Sequence, residues 1–484
     1  MAFSEVAPFS KTGGLGDVGG ALPKALKDMG HDVRVITPQY RRINERKYVL
    51  RDVIRLQDIA VNMGEKTVTL NAKSAFLPNS KVQVYFMDYR PYFFREGLYT
   101  NPKTNTDYPD NAQRYLLFCK GVLETLKKLQ WQPDVIHCND WQTGIVPFLL
   151  KHHYHQDPFF AKVHSLMTVH NFSFQGNFDT ECLPMLNMPS DFVFKNSDLE
   201  LGGQCSFLKA GILSADVVNT VSKRHAKEVS TSAKFGFGME KVIKKGTVQL
   251  HGVLNGIDEQ VWNPETDGMI EQKYSKEDFS GKNACRDALI DELGLKNGEA
   301  PIVAMITRLT EQKGVHLVQE IFQDMMGLPV SFVLLGLGEN KFHDFFKKMA
   351  KKYSKQFSVH FKFDDTLAHR IMAGADILLI PSLFEPCGLT QMYAFKYGTV
   401  PIAFETGGLA DTIKPFSGGS SAGNGYLFNK PTAKSLLRVL KQCLTHYHKP
   451  EIWAHVIKNG MKGDFAWEQS AKDYVTLYQQ CVEK

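Results

Sequence analysis

Two cations share one short loop of this 484-residue chain: Arg308 and Lys313 in RLTEQKG (308–314), directly after the apolar run IVAMIT. A planar guanidinium fork and a compact ammonium at the carboxyl end of a strand suit a diphosphate, with a solvated surface loop as the plainer alternative. Further on, PSLFEPCGLTQMYAFKYG (381–398) puts Glu385 in a strand-to-helix turn, where Pro386 fixes the chain and Gly388, Leu389 and Thr390 open a helix. A helix start holds phosphate while the carboxylate reaches a reacting sugar; read structurally, the same acid only caps the helix. LLGLGEN (334–340), containing Gly336, and TGGLADT (406–412) are two more glycine turns that lead into helices.

The first half carries its own candidates. In KTGGLGDVGGALPKAL (11–26), Gly14, Gly16 and Gly19 spell G-x-G-x-x-G. A dinucleotide site also needs an acid at the end of the second strand to bind ribose. Here that strand, VRVITPQY (33–40), ends in Pro38, Gln39 and Tyr40, which argues against a nicotinamide or flavin enzyme. The run instead opens with Lys11 and carries Asp17. It reads as an anion or sugar loop whose backbone N–H groups approach an oxyanion, with Pro23-Lys24-Ala25 leading into a helix. HCNDWQTG (137–144) and TVHNFSFQG (168–176) supply Asp140 to accept hydroxyl protons, Trp141 to stack on a sugar face, and His170 with Asn171 to hydrogen-bond a ring. Each has a structural reading when taken singly; their convergence at strand ends favours a site. No Asp-x-Asp pair occurs, and the HHYH cluster (152–155) lacks a partnering acid or cysteine motif, so neither a metal nor any other cofactor is expected.

These residues need elements to hold them. Apolar β-rich runs occur at 33–40, 134–140, 165–171, 216–222, 302–308, 331–338, 376–382 and 400–404. Helical patterns fall between many of them, at 112–129 behind Asp110, at 316–326, at 366–375 behind Asp365, and at 389–398 closed by Gly398. Continuous apolar strands separated by helices predict parallel sheets covered on both faces. Residues 257–300 are polar and turn-rich and read as a domain junction. The expectation is an α/β protein of two similar domains facing a cleft, with ligands at the carboxyl ends of both sets of strands. WEQSAKDYVTLYQQCVEK (467–484) reads as an amphipathic helix.

Composition sets the outer limits. A length of 484 exceeds what one hydrophobic core usually supports, so two domains are the natural reading. The net charge of +6 is spread along the chain rather than gathered into blocks, which implies no nucleic acid and fits an anionic small substrate. No apolar run is long enough for a membrane span, and no charged-then-apolar leader is present. The expected location is the cytoplasm, or the plastid stroma if a transit peptide has been removed. Eight cysteines without a C-x-x-C pair read as buried reduced thiols.

Taken in order, SEVAPFSKTGGLGDVGGALPKAL, HCNDWQTG, TVHNFSFQG, NGID (255–258), TRLTEQKG, FEPCGLTQMYAFKYGTVP and TGGLADT resemble the bacterial glycogen synthase and plant starch synthase family over essentially the whole chain. KTGGL and EPCGLTQ are its most specific motifs. The resemblance implies the GT-B fold, two Rossmann-like domains with parallel sheets facing a deep cleft. It places the N-terminal, acceptor-side domain at 1–255, joined by the C-terminal helix 465–484, and a nucleotide-sugar domain at 256–464. It implies a retaining transfer of glucose from ADP-glucose to the non-reducing 4-hydroxyl of an α-1,4-glucan (glycogen, starch or a maltooligosaccharide). UDP-glucose as donor, or a non-catalytic glucan-binding protein on the same fold, are the alternatives, and a homo-oligomer is left open.

Carried over by motif, Lys11, Arg308 and Lys313 contact the donor's phosphates and Glu385 stands beside the transferred glucose. Cys387, Gly388, Leu389 and Thr390 line sugar and phosphate, as do His170, Asn171 and Asn255, with Gly14 and Gly336 in the donor's glycine turns. Glu5, Asp17, Tyr99, Asp140 and Trp141 lie on the acceptor side, and Phe363 falls where an aromatic stacks on the base. Three departures stand out: only four residues precede Glu5, Phe363 replaces the family's usual Tyr, and Tyr393 occupies the position eight after Glu385 where sucrose- and trehalose-type relatives place a second Glu.

Overall fold

The computed structural model describes residues 1–104, 106–188, 190, 192–244, 248–296, 298–417 and 422–483. The chain forms two compact units, Met1–Gly256 with Trp467–Lys484, and Ile257–Ala466.

The first unit is built on one twisted sheet. Strands Arg34–Pro38 and Gln83–Asp88 pair in parallel on one side, and Val135–Asn139, His164–Val169, Val217–Thr220 and Leu250–Gly252 pair in parallel on the other. Ala2 joins the halves through single bridges to Ile36 and Cys138. The stretch of only four residues ahead of Glu5 therefore lies at the centre of the sheet, held by single bridges. Beyond Gln83–Asp88 the sheet turns antiparallel through Lys66–Phe76, which also pairs with Ile59–Met63. Sequence reading passed over these two strands, because their burial alternates (buried, exposed, buried in Ile59–Met63) instead of running continuously apolar. Helix Trp467–Val482 packs in this unit, burying Trp467, Tyr474, Leu477 and Cys481 and setting the Tyr478 hydroxyl 2.8 Å from His137 Nδ1.

The second unit holds six parallel strands in the order Phe357–His360, Ser331–Leu335, Ile302–Ile306, Ile377–Ile380, Val400–Phe404, Tyr426–Phe428. In chain order this is 3-2-1-4-5-6, the doubly wound arrangement whose order reverses beside strand 1. The first unit repeats the plan, with Ala2 as strand 1 and Val135–Asn139 as its neighbour across the reversal.

Three local expectations need correction. Helix Gly14–Asp28 starts at Gly14, so the glycine run forms its first turns and Pro23 lies inside it rather than near its start. Asp110 does not cap helix Asn111–Leu129; its carboxylate is drawn instead into a two-pronged pair with Arg95, at 2.7 and 2.5 Å. The cap of helix Asp365–Gly374 is Asp364, which accepts from Leu367 N, not Asp365. The stretch 257–300, read as a domain junction, does begin where the two units divide, and it also contains a helix that sequence reading passed over, Ser280–Leu293, whose buried face includes Cys285, Leu289 and Lys282.

Lys282 explains why that face was illegible, since a lysine reads as solvated surface. Its ammonium is buried and donates to the carbonyls of Ala373 (3.0 Å), Ala375 (3.0 Å) and Tyr397 (2.9 Å) and to Thr399 Oγ1 (3.1 Å). Replacing it with methionine takes the side-chain donor from Ala373 O and Thr399 Oγ1, while Tyr397 O keeps the Tyr274 hydroxyl (2.9 Å) and Ala375 O keeps Thr399 Oγ1 (3.0 Å). Lys282→Met is expected to cost about 2–4 kcal/mol in urea unfolding followed by circular dichroism.

Candidate functional site

In the second unit the loops that follow the two strands at the reversal, 307–314 and 381–390, are stitched together. Leu383 N donates to Gln312 O at 2.8 Å. Gly314 (φ +68°) lies so close to Pro381 that a Cβ there would come within 2.0 Å of the Pro381 carbonyl, so only glycine fits. The seam brings Lys313 Nζ to 2.6 Å from Glu385 Oε2, with 16% and 13% of the two side chains exposed. The loop carrying Glu385 is held from beneath by TGGLADT. Gly408 N donates to the carbonyls of Glu385 and Pro386, both at 3.1 Å, and a Cβ on Gly408 would meet the Cys387 carbonyl at 1.9 Å.

Gln391 is the residue that sequence reasoning missed. Wholly buried, it donates from Nε2 to Cys387 O (3.2 Å) and Gly388 O (3.0 Å), clamping the turn beside Glu385. Its place in the EPCGLTQ motif was the available signal. Cys387 is buried, while Gly388, Leu389 and Thr390 are half-buried at the start of helix Thr390–Lys396. That helix has only seven residues, so its dipole is a small contribution beside the Lys313 charge.

Arg308 is exposed on the same loop as Lys313 and has no acidic partner among the described residues. Gly336 marks the close approach of the next loop, since a Cβ there would sit 1.8 Å from the Thr307 carbonyl. Leu309 N to Leu337 O (2.7 Å) and Glu339 N to Leu309 O (2.9 Å) complete the junction. Phe363, which follows strand Phe357–His360, exposes 76% of its surface.

In the first unit the reversal gathers the loops after Ala2 and after Val135–Asn139. Lys11 Nζ pairs with Asp17 Oδ1 at 2.7 Å, with 42% and 29% of the side chains exposed. Glu5, only 3% exposed, turns inward and accepts from the N–H groups of Thr12 and Gly13, from Thr12 Oγ1 (2.6 Å) and from the Tyr99 hydroxyl (2.6 Å). The N–H groups of Thr12 and Gly13, expected to approach an oxyanion, are thus already occupied. Gly14 stands just beyond, with open space where a Cβ would be.

Asp140 adopts a left-handed backbone (φ +57°), rare for a residue with a side chain, and its carboxylate accepts from His170 N at 2.7 Å. Burial pushes its carboxyl up to about 7, against the pull of the His170 and Asn171 N–H groups. Burial also pushes His170 down to about 3, so its imidazole is neutral, and the ring Nε2 lies 3.0 Å from Asn139 Oδ1. The Asn171 side chain folds back onto Ser173, accepting from its N–H (3.0 Å) and Oγ (2.8 Å). Asn255 is buried, and its Oδ1 has no hydrogen-bond partner among the described residues.

Trp141 is a correction. It is 8% exposed and packs edge-on to Tyr115 (5.0 Å) and Phe178 (5.4 Å), with Gly176 pressed against its ring. A tryptophan enclosed in this way belongs to the core and offers no open face to a sugar; its tandem position with Asp140 gave no hint of that.

Within the first unit the fold therefore joins Lys11 with Asp17, Glu5 with Tyr99, and Asp140 with the His170 loop. Within the second it joins Lys313 with Glu385. Among the described residues no group of three or more His, Cys, Asp or Glu side chains gathers as a metal site, and no helix is long and apolar enough to cross a membrane.

Two family models cover most of the chain: one described as starch synthase catalytic domain matches residues 1–245, and one described as glycosyl transferases group 1 matches residues 288–462. A glycogen synthase of Syntrophotalea carbinolica is 40% identical over 484 residues, spanning 100% of this chain and 98% of that one. A glycogen synthase of Geobacillus stearothermophilus is 39% identical, with the same coverage. Among solved structures, the catalytic domain of Starch Synthase IV from Arabidopsis thaliana, bound to ADP and acarbose, superposes with a TM-score of 0.88 at 31% identity, covering 100% of this chain and 99% of that one. Sucrose-phosphate synthase from Thermosynechococcus elongatus shares the fold, with a TM-score of 0.56 at 16% identity over 97% of this chain and 93% of that one.

The Asp140 environment makes a testable claim. A carboxyl raised from 3.8 to about 7 contributes stability that is fully present below pH 3.8 and lost as pH rises through about 7. Asp140→Asn removes this titration. In chemical unfolding at a series of pH values, the variant should therefore gain on the parent chain as pH rises from about 4 to about 7.

Proposed function

The chain belongs to the glycogen and starch synthase family of GT-B glycosyltransferases, and from that premise we propose that it transfers glucose, with retention, from ADP-glucose to the non-reducing 4-hydroxyl of an α-1,4-glucan. The observation that carries this reading is the Lys313–Glu385 pair at the strand-order reversal, 2.6 Å apart and largely withdrawn from water.

Breaking the anomeric C–O bond leaves positive charge on the glucosyl carbon and negative charge on the departing diphosphate. Glu385 is the one acid in its turn, and its carboxylate is suited to steady the positive centre. Arg308 and Lys313 take up the negative charge, with Lys11 as a third cation. Fixed charges act most strongly where water is scarce, which is the condition that the low exposure of Lys313 and Glu385 provides. While no diphosphate is bound, Lys313 neutralises Glu385. A diphosphate competes for the same ammonium, so donor binding redirects the lysine and leaves the carboxylate facing the sugar.

Three cations supply the charge that a divalent metal supplies in other nucleotide-sugar enzymes, and the reading is of transfer without a metal. The exposed Phe363 is a platform for the nucleotide base, although an aromatic face accepts adenine and uracil alike. The neutral His170 donates or accepts toward sugar hydroxyls without adding charge, and Asn255 is read as lining the same donor region. Asp17 and Asp140 serve the incoming glucan.

The deciding assay incubates the protein with ADP-glucose or UDP-glucose and glycogen or maltooligosaccharide, with and without EDTA, and follows nucleotide release and chain extension. Transfer from ADP-glucose that is unaffected by EDTA is expected; transfer from UDP-glucose alone, or dependence on a metal, overturns the donor or the metal reading respectively. Glu385→Ala should lower kcat at least about 100-fold, the range for loss of a group that stabilises transition-state charge. Arg308→Ala should raise the donor KM and lower kcat while leaving the glucan KM unchanged, in initial-rate measurements with each substrate varied in turn.

A further inference from the structure

The loop that carries Lys11 is organised around an internal anion. Four donors converge on Glu5: the N–H groups of Thr12 and Gly13, the Thr12 hydroxyl and the Tyr99 hydroxyl. Consecutive backbone N–H groups in such a turn form a concavity that ordinarily receives a ligand anion. Here Glu5 fills it, and a phosphate arriving at the same N–H groups would meet like charge. The loop's outward-facing positive group is Lys11, with 42% of its side chain exposed.

Tyr99 is equally committed. Burial raises its phenol well above the ordinary value, so it remains a donor, and its oxygen also lies 2.8 Å from Ser4 Oγ. The backbone that delivers it is pinned at several points. Tyr99 O accepts from Asn111 Nδ2 (3.0 Å) and Tyr108 N (3.1 Å). Arg114, wholly buried, donates to Leu98 O (2.9 Å), Tyr92 O (2.8 Å) and Asn111 Oδ1 (2.6 Å). The Arg95–Asp110 pair closes the segment at its base. A fully buried guanidinium bonded to carbonyl and amide oxygens would be costly unless every one of those oxygens stayed in place, so Arg114 fixes the course of residues 92–99.

We propose that Glu5, Thr12 and Tyr99 are positioning residues that set the KTGGL loop and aim Lys11, with Arg114 holding Tyr99 from behind, and that neither Glu5 nor Tyr99 belongs to the acceptor subsite. This rests on the reading that Lys11 serves the donor phosphate. The link runs from Arg114 through the Leu98–Tyr99 backbone to the Tyr99 hydroxyl, then through the Glu5 carboxylate to Thr12 and the neighbouring Lys11. It also explains why Glu5 precedes Lys11 by so little: the loop must turn back on the end of its own strand for the carboxylate to reach the N–H groups.

The test uses Thr12→Val, Thr12→Ser and Tyr99→Phe in the full chain. Thr12 is exposed, so its variants fold irrespective of the outcome for Tyr99. Initial rates are measured with the nucleotide sugar and the glucan varied in turn. Thr12→Val and Tyr99→Phe should raise the donor KM or lower kcat about tenfold, the loss expected for a hydrogen bond to a charged group, with the glucan KM within about twofold of the parent and Thr12→Ser restoring parent values. A raised glucan KM with an unchanged donor KM in Tyr99→Phe, or parent-like kinetics in Thr12→Val, overturns the proposal. Amide hydrogen exchange of residues 11–15 gives a second readout that needs no activity. Tyr99→Phe should speed exchange at Thr12 and Gly13 about tenfold, whereas unchanged exchange overturns the proposal. If the parent chain transfers glucose from no nucleotide sugar, the functional reading fails while the exchange result still decides the positioning role.

Discussion

An acid and a base held 2.6 Å apart and largely out of water are the constraint from which the second unit's loop architecture follows. Neither Lys313 nor Glu385 tolerates that degree of burial alone, because an unpaired charge loses hydration with nothing in return. Keeping them paired requires two loops from different strands to stay in register within a fraction of an ångström. The Gln312–Leu383 hydrogen bond, the Gly314–Pro381 contact and the Gly408 donor beneath Glu385 supply that register. Each is a backbone interaction, so the geometry does not rest on flexible side chains. On the proposed function, the same pairing makes the site self-neutralising when empty and lets an incoming diphosphate exchange one anion for another at Lys313.

The first unit solves a related problem with a different device. Its charged loop is shaped by Glu5, an anion belonging to the protein itself. Its buried cations are held by oxygens rather than by acids. Arg114 takes two carbonyls and an amide oxygen, and Lys120 takes Asn62 O, Met185 O and Asn187 Oδ1 at 2.6 to 2.8 Å. Lys282 does the same in the second unit. Burial lowers both lysines to about 8. A cation in a cage of carbonyls ties together segments far apart in sequence without adding an opposite charge that could compete with ligand-binding groups. That suits a protein whose working charges are proposed to act on a diphosphate.

Much of this was legible in one dimension. The runs IVAMI, SFVLL, ILLI and VPIAF became central parallel strands because a strand covered on both faces must be apolar at every position. RLTEQKG, EPCGLTQ and TGGLADT were recognisable because loops at strand ends carry polar and glycine residues that a core would not keep. Reading failed where burial alternates, as in Ile59–Met63, and where a polar side chain is buried by bonds to distant backbone, as with Lys282. It also failed at Trp141, whose neighbours Tyr115 and Phe178 come from other parts of the chain.

Residue type and order by themselves determined that this is a two-part α/β chain of the glycogen and starch synthase family, with cations, an acid and glycine turns at strand ends. These are local properties, set by hydrophobic periodicity and by the backbone freedom each residue allows. Only the tertiary structure decided which charge meets which. It gave Lys313 to Glu385 and Lys11 to Asp17, turned Glu5 inward onto Thr12 and Tyr99, and enclosed Trp141. The reason is that pairing energies fall off within a few ångströms, and distances between residues remote in sequence are set by how strands and loops pack, which no local pattern records.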